Sequence, residues 1–275
     1  MPQAEGILKY CHNDPIQKLV YNPVTAQLAS TTCSDFGLWS PEKKQVAKHK
    51  VKDRVLTASW TTDGQYLALG LFNGNITIRD KEGEEKVLIQ RNAPVWAIQW
   101  NPNRDETGVL ACACWDQTLS FYQLSGNQVG KDRRLDYDPC ALSYFTQGEY
   151  LLLGGSNKKV SLHTKEGVRL VTIGEREDWV WCAAARPKQN YVAVGCNDGT
   201  ITMYQLVFST VHGLYQDRYA FRENMTDVII QHLITEQKVR IKCRDYVKKI
   251  AVYKDRLAVQ LPDRVIIYEL SHDDE

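Results

Sequence analysis

Eight cysteines and six histidines are the residues of this 275-residue chain best equipped for chemistry. Cys11, Cys33, Cys112, Cys114, Cys140, Cys182, Cys196 and Cys243 would make a metal site or a disulfide framework if they came as short-spaced pairs with close partners. No Cys-x-x-Cys occurs, and the one close pair, Cys112 and Cys114, has the spacing that puts both side chains on one face of a strand. Buried reduced thiols are therefore expected, in a cytosolic compartment. His12, His49, His163, His212, His232 and His272 include no pair at metal-ligand spacing. A hydrolase needs a nucleophile, a base and an orienting acid brought together, and no local signature for that set is present. Gly154-Gly155 and the set Gly64, Gly70 and Gly74 fall at turns and in strands, not in a phosphate loop. A non-enzymatic chain without cofactor or metal is the expectation.

What positions these residues is a repeat. The segments Leu28 to Trp39, Leu67 to Arg79, Leu110 to Tyr122, Leu151 to His163 and Val192 to Tyr204 share one pattern, the first a residue shorter than the rest. Six residues before the end of each sit Cys33, Asn73, Asp116, Asn157 and Asp198, spaced by 40, 43, 41 and 41 residues. Apolar strands at that period are the mark of the four-stranded blades of a WD40 β-propeller. The first strand recurs too: Ile16 to Tyr21, Val55 to Trp60, Val95 to Trp100, Cys140 to Phe145 and Val180 to Ala185 each run into a turn such as Asn22-Pro23 or Asn101-Pro102. In Trp96-Ala97-Ile98-Gln99-Trp100, strand alternation turns every second side chain toward the neighbouring blade. The signature residues are degenerate. Only Trp39 keeps the tryptophan of the WD pair; the other copies have Arg79, Tyr122, His163 and Tyr204, so packing is expected for His163. His12 stands where it can reach a strand hydroxyl, but Cys33 holds that blade's acid position and Asp35 is displaced by two, which predicts an incomplete polar network.

The expected fold is all-β: five regular four-stranded blades plus an irregular sixth unit, dividing the chain into 1–224 and 225–275. Phe208 to Arg222 reads as a connection, followed by strands at Val228 to Ile234 and Lys238 to Lys242. Lys249 to Tyr253, Leu257 to Leu261 and Val265 to Leu270 read as the last three. Gly6 to Tyr10 reads as an outer strand that either closes the ring or marks an open piece cut from a longer array.

Charge and hydropathy limit the partners. With 34 Lys plus Arg against 33 Asp plus Glu, the net charge is +1, which argues against a nucleic-acid binder. The longest apolar run, Gly108 to Trp115, is far short of the ~20 residues of a membrane-spanning helix. Met1 to Glu5 has no basic flank leading into an apolar run, so no export signal is expected. The basic stretch from Lys43 to Arg54 suits a phosphoinositide or nucleic-acid surface, or more simply a solvated outer strand whose lysines discourage strand addition. The acidic end, Asp273-Asp274-Glu275, reads as a frayed terminus.

Several stretches carry a family resemblance. Asp35-Phe36-Gly37-Leu38-Trp39-Ser40-Pro41-Glu42, Asp63 to Gly70, Phe121 to Gly126, Thr210 to Tyr215, and Met225-Thr226-Asp227-Val228-Ile229 onward to Cys243 resemble the intraflagellar transport protein 122 family. That resemblance implies a subunit of intraflagellar transport complex A, working in retrograde transport and the import of membrane cargo into cilia. Its partners would be the other complex A subunits and ciliary cargo adaptors, with locations in the cytoplasm, the cilium and its basal body. The family has two tandem propellers and a long helical solenoid, so the length implies a fragment, with the second propeller beginning at Met225. The alternative is a general WD40 adaptor or peptide receptor outside cilia. Propellers commonly bind through loops at one rim, which points to Arg54, Trp115 and Trp179, with His212, Tyr215 and Arg218 in the non-repeating part. The competing readings are that Trp115 and Trp179 pack between blades and that His212 is an ordinary loop residue.

Overall fold

The computed structural model describes residues 10–43, 45–103 and 108–269. Of the expected first strand only Tyr10 falls within these; Gly6 to Lys9, Lys44 of the basic stretch, Leu270, His272 and the acidic end lie outside the described residues. Among the described residues the chain folds into seven antiparallel sheets, each a meander in chain order. Blade 1 comprises Lys18–Tyr21, Leu28–Thr31, Asp35–Trp39 and Ala47–Lys50. Blade 2 comprises Val55–Trp60, Tyr66–Leu71, Asn75–Asp80 and Glu85–Gln90. Blade 3 comprises Val95–Trp100, Val109–Cys114, Thr118–Gln123 and the two-residue Arg133–Arg134. Blade 4 comprises Pro139–Phe145, Tyr150–Gly155, Lys159–Thr164 and Arg169–Glu175.

The fifth repeat departs from the expected four strands. It has three, Val180–Ala185, Tyr191–Cys196 and Ile201–Gln205, because the chain then leaves the sheet and stacks Phe208 on Tyr150 and Phe145 of blade 4. The expected connection from Phe208 to Arg222 is also corrected: His212–Tyr215 and Arg218–Glu223 are strands, paired with Asp227–His232 and Lys238–Lys242 in a sixth sheet. The expected boundary at 224/225 falls in the turn between two paired strands of that sheet. Lys249–Tyr253, Arg256–Gln260 and Val265–Glu269 form the seventh, which shares a core with the sixth through Val228, Ile230, Ile250 and Val259.

The second strand of each regular blade is covered on both faces, which is why it reads as an unbroken apolar run. Leu67 to Leu71 and Leu110 to Cys114 are buried throughout. Glycine has a specific task here. A Cβ on Gly70 would lie 2.7 Å from Val95 Cγ1, and one on Gly154 would collide with Val180, so the next blade's first valine seats only against a bare backbone. Side chains tie the inner strands together: Ile98 N–H donates to Thr57 Oγ1 at 3.2 Å, and Tyr144 N–H to Gln99 Oε1 at 2.9 Å. The Asn-Pro turns do the same, with Asn22 Nδ2 donating to Gly64 O at 2.8 Å and Asn101 Nδ2 to Gly148 O at 3.1 Å.

The ring is not closed. Inner strands touch in the order of blades 1 to 5, with no comparable contact from blade 5 back to blade 1 among the described residues. The two ends expose apolar side chains: Leu19 of blade 1 is 54% exposed, and Ile201 and Met203 of blade 5 are 77% and 70% exposed.

Candidate functional site

Hydrogen-bonded networks in the blades come closest to catalytic geometry. His12 Nδ1 lies 2.6 Å from Asp35 Oδ1, and Nε2 lies 2.7 Å from Ser30 Oγ. Thr32 Oγ1 donates to the same carboxylate oxygen at 2.8 Å. Asp35 thus takes the place that Cys33 could not fill, while the network stays incomplete at Trp39, whose Nε1 is buried without a hydrogen-bond partner among the described residues. Serine, histidine and aspartate stand in hydrolase order, yet Ser30 is buried and the His12 side chain is 1% exposed, so no substrate reaches the hydroxyl. The set binds strands together.

Blade 3 builds the same tie from arginine, which the sequence reading missed. Arg91 donates to Asp116 at 2.6 Å, Thr118 at 2.8 Å, Asp132 at 2.9 Å and Tyr122 at 3.1 Å. Burial alone would raise the Asp116 pKa, but hydrogen bonds from Thr118 and Arg91 hold it below the ordinary carboxylate range. The signal was in the spacing. Arg91 stands four residues before Val95, as His12 stands four before Ile16 and Arg176 four before Val180.

The exposed chemistry is at the channel. The inner strands of the five blades line an open cavity of about 640 Å³. In blades 2 to 5 the inner strand carries a β-bulge at its second residue: Leu56, Trp96, Cys140 and Trp181 are skipped in the pairing. A bulge re-aims its side chain, and all four line the cavity. Trp96 stacks flat on Trp115, centroids 4.2 Å apart, and meets Trp181 at 5.5 Å; Trp181 meets Trp179 at 5.6 Å. The four indoles form one half-buried wall from blade 3 to blade 5. Two of their polar edges are engaged: Trp115 Nε1 donates to Pro139 O at 3.1 Å, and Trp181 Nε1 to Asn197 Oδ1 at 2.9 Å. Asn197 in turn donates to Asp178 at 2.9 Å, and together with the Trp179 N–H it holds the Asp178 carboxyl below its usual value. Cys140 offers no nucleophile, since burial, then Asp138, pushes its pKa up to about 12. The wall combines apolar faces with an ionised carboxylate, which suits a peptide presenting apolar and cationic side chains.

Comparison with known proteins fits this architecture. A family model described as the IFT122 first β-propeller matches residues 1–205, and one described as the IFT122 second β-propeller matches 212–275. The chain belongs to the IFT122 family. Relatives named Intraflagellar transport protein 122 homolog from Mus musculus and Homo sapiens are 65% and 53% identical, each over 99% of this chain. The chain spans 23% of the mouse relative and 27% of the human one. The Cps50 (Swd1) β-propeller domain of Myceliophteria thermophila superposes with a TM-score of 0.61 at 14% identity, covering 98% of this chain and 100% of that one, a likeness of fold alone.

Within the part matching the first IFT122 propeller, Trp115 and Trp179 are brought together by Trp96 and Trp181. Arg54 is exposed on the turn into blade 2, where its carbonyl accepts from the Phe72 N–H at 2.9 Å. The other three expected residues lie in the part matching the second propeller, outside the wall. Tyr215 packs edge-on against Tyr253 at 5.0 Å and Arg218 donates to Lys254 O at 2.6 Å, both joining sheet 6 to sheet 7, while His212 is exposed beside Tyr219. The basic stretch is split: Lys48 and Lys50 lie on the outer strand of blade 1, whereas Arg54 sits on the turn that follows it. Among the described residues no group of three His, Cys, Asp or Glu stands close enough to hold a metal, all eight cysteines are free, and no helix is long and apolar enough to cross a membrane.

Proposed function

We propose that this chain is the propeller portion of a subunit of intraflagellar transport complex A, a non-enzymatic scaffold in retrograde ciliary transport and cargo import. Its partners are the other complex A subunits and ciliary membrane-cargo adaptors, met in the cytoplasm, the basal body and the cilium. Residues up to 205 belong to one propeller and those from 212 to another, joined by the segment that docks Phe208 on blade 4. The observation that carries this reading is the four-tryptophan wall at the channel of an IFT122-family propeller. Large rigid aromatics at a rim anchor partners with little loss of side-chain freedom. The burial of Ser30 and His12 supports a scaffold over a hydrolase.

The test is recovery of partners from ciliated cells on the tagged chain, alongside the double variant Trp96→Ala, Trp181→Ala. Recovery of complex A subunits that falls at least about tenfold in the variant supports the proposal. Their reproducible absence from the unaltered chain, or recovery of other partners in their place, refutes it in favour of a general adaptor.

A further inference from the structure

The wall leaves unused a second cavity, of about 480 Å³, between the outer parts of blades 3 and 4. Arg133 and Arg134 reach it from the outer strand of blade 3, and Arg169 from the outer strand of blade 4. None of these three forms an ion pair among the described residues. Arg133 Nε donates to Glu166 O at 3.2 Å and Arg169 Nη2 to Thr172 Oγ1 at 2.7 Å, leaving most of their N–H groups free. Tyr137 Oη and His163 Nδ1 line the same cavity, buried and without a well-formed hydrogen bond, Ser161 lying close to each without completing one. His163 is 3% exposed, and burial, then Arg169, pushes its pKa down to about 4, so a neutral imidazole faces the space. Two carboxylates also line it: Asp132 is already engaged by Arg91, and Asp136 is exposed.

Three unneutralised guanidiniums and two buried polar atoms without a well-formed hydrogen bond are separate deficits, and one compact anion would meet both. The outer edge of Arg133–Arg134 is unpaired, so an extended segment can run beside it. Asp132 and Asp136 oppose a broad anionic surface such as a bilayer more than a single group entering between the arginines. We propose that this groove binds a phosphate monoester carried on the side chain of a partner peptide, a phosphorylated serine or threonine. The site goes beyond the scaffold reading, and its test does not depend on complex membership.

The test is fluorescence anisotropy on the full chain with a labelled Gly-Ser-Ala peptide, with and without a central phosphoserine. The phosphorylated peptide is expected to bind at least about tenfold more tightly, with inorganic phosphate competing. Arg133→Ala with Arg169→Ala should cost at least about tenfold; both residues are exposed, so the fold is not at risk. Arg133→Lys should lose part of the affinity, because a point charge lacks the planar fork, and Lys238→Ala should lose none. Equal binding of the two peptides, or full affinity in the double variant, overturns the proposal. So does stronger arginine-dependent binding to phosphatidylcholine vesicles carrying a phosphoinositide, which would make the occupant a membrane.

Discussion

Arg91→Met tests the claim that arginine replaces histidine as the tie within blade 3. The substitution keeps the apolar stem and deletes a guanidinium that is 11% exposed and bonded to four side chains. A buried charge-assisted bond is worth about 1.5–3 kcal/mol, so losing the one to Asp116 costs about 2. Asp132 is 37% exposed and regains water, so its loss counts no more than the ~0–1 kcal/mol of a surface pair. The Thr118 hydroxyl keeps its bond to Asp116 but loses a donor, as does the Tyr122 hydroxyl, which adds about 1 kcal/mol for a total of about 3 kcal/mol.

The assay is native-state hydrogen exchange, which resolves blades that a single global unfolding curve would average. Amides of Val109–Cys114 and Thr118–Gln123 should lose roughly a hundredfold protection while those of Leu28–Thr31 stay unchanged. The difference should also depend on pH. Asp116 sits below its unfolded value of about 3.9, so its contribution is complete above that pH and is lost as pH falls through the lower folded value. The variant and the unaltered chain should therefore converge in acid. Adding Asp116→Asn should restore about 1–2 kcal/mol, because no lone carboxylate remains. A loss below about 1 kcal/mol, or one spread evenly over all blades, would overturn this account of the tie.

The other tests follow from single contacts. His163 has a folded pKa of about 4 against about 6.5 unfolded, so the unfolded chain takes the proton first and stability falls by about 3 kcal/mol as pH drops through that window. Urea midpoints of His163→Phe should lack this part of the pH dependence. Gly154→Ala drives a methyl into Val180 and should cost about 1–3 kcal/mol in thermal unfolding; an unchanged melting temperature would contradict the proposed seat for the valine. Trp181→Ala should weaken the captured partner by about 2 kcal/mol or more in a titration, with Trp96→Ala acting similarly.

The second strands were legible in the sequence because burial on both faces leaves an apolar run with no polar interruption, as at Leu67 to Leu71. Outer strands were less legible: Ala47–Lys50 and Arg133–Arg134 are polar and exposed, so the period alone supplied them, and it supplied one too many in blade 5. The hairpin at 212–223 was hidden by its turn. Gln216-Asp217 lacks the glycine that marks tight hairpins, although Gln216 takes a left-handed φ of 51°.

The tryptophan wall escaped for a deeper reason. Strict alternation places Trp96 on an inter-blade face, but the bulge at that residue breaks the count and turns it to the channel. The same break at Leu56, Cys140 and Trp181 makes the bulge a property of the blade, while the residue filling it is free to vary. Packing therefore fixes where these side chains point, and their identity decides what the channel can hold. Two tryptophans, in blades 3 and 5, meet across the smaller Cys140 of blade 4, which leaves them room to touch. A bulkier residue at position 140 would compete for that room, so the spacing of large and small bulged residues is itself part of the site.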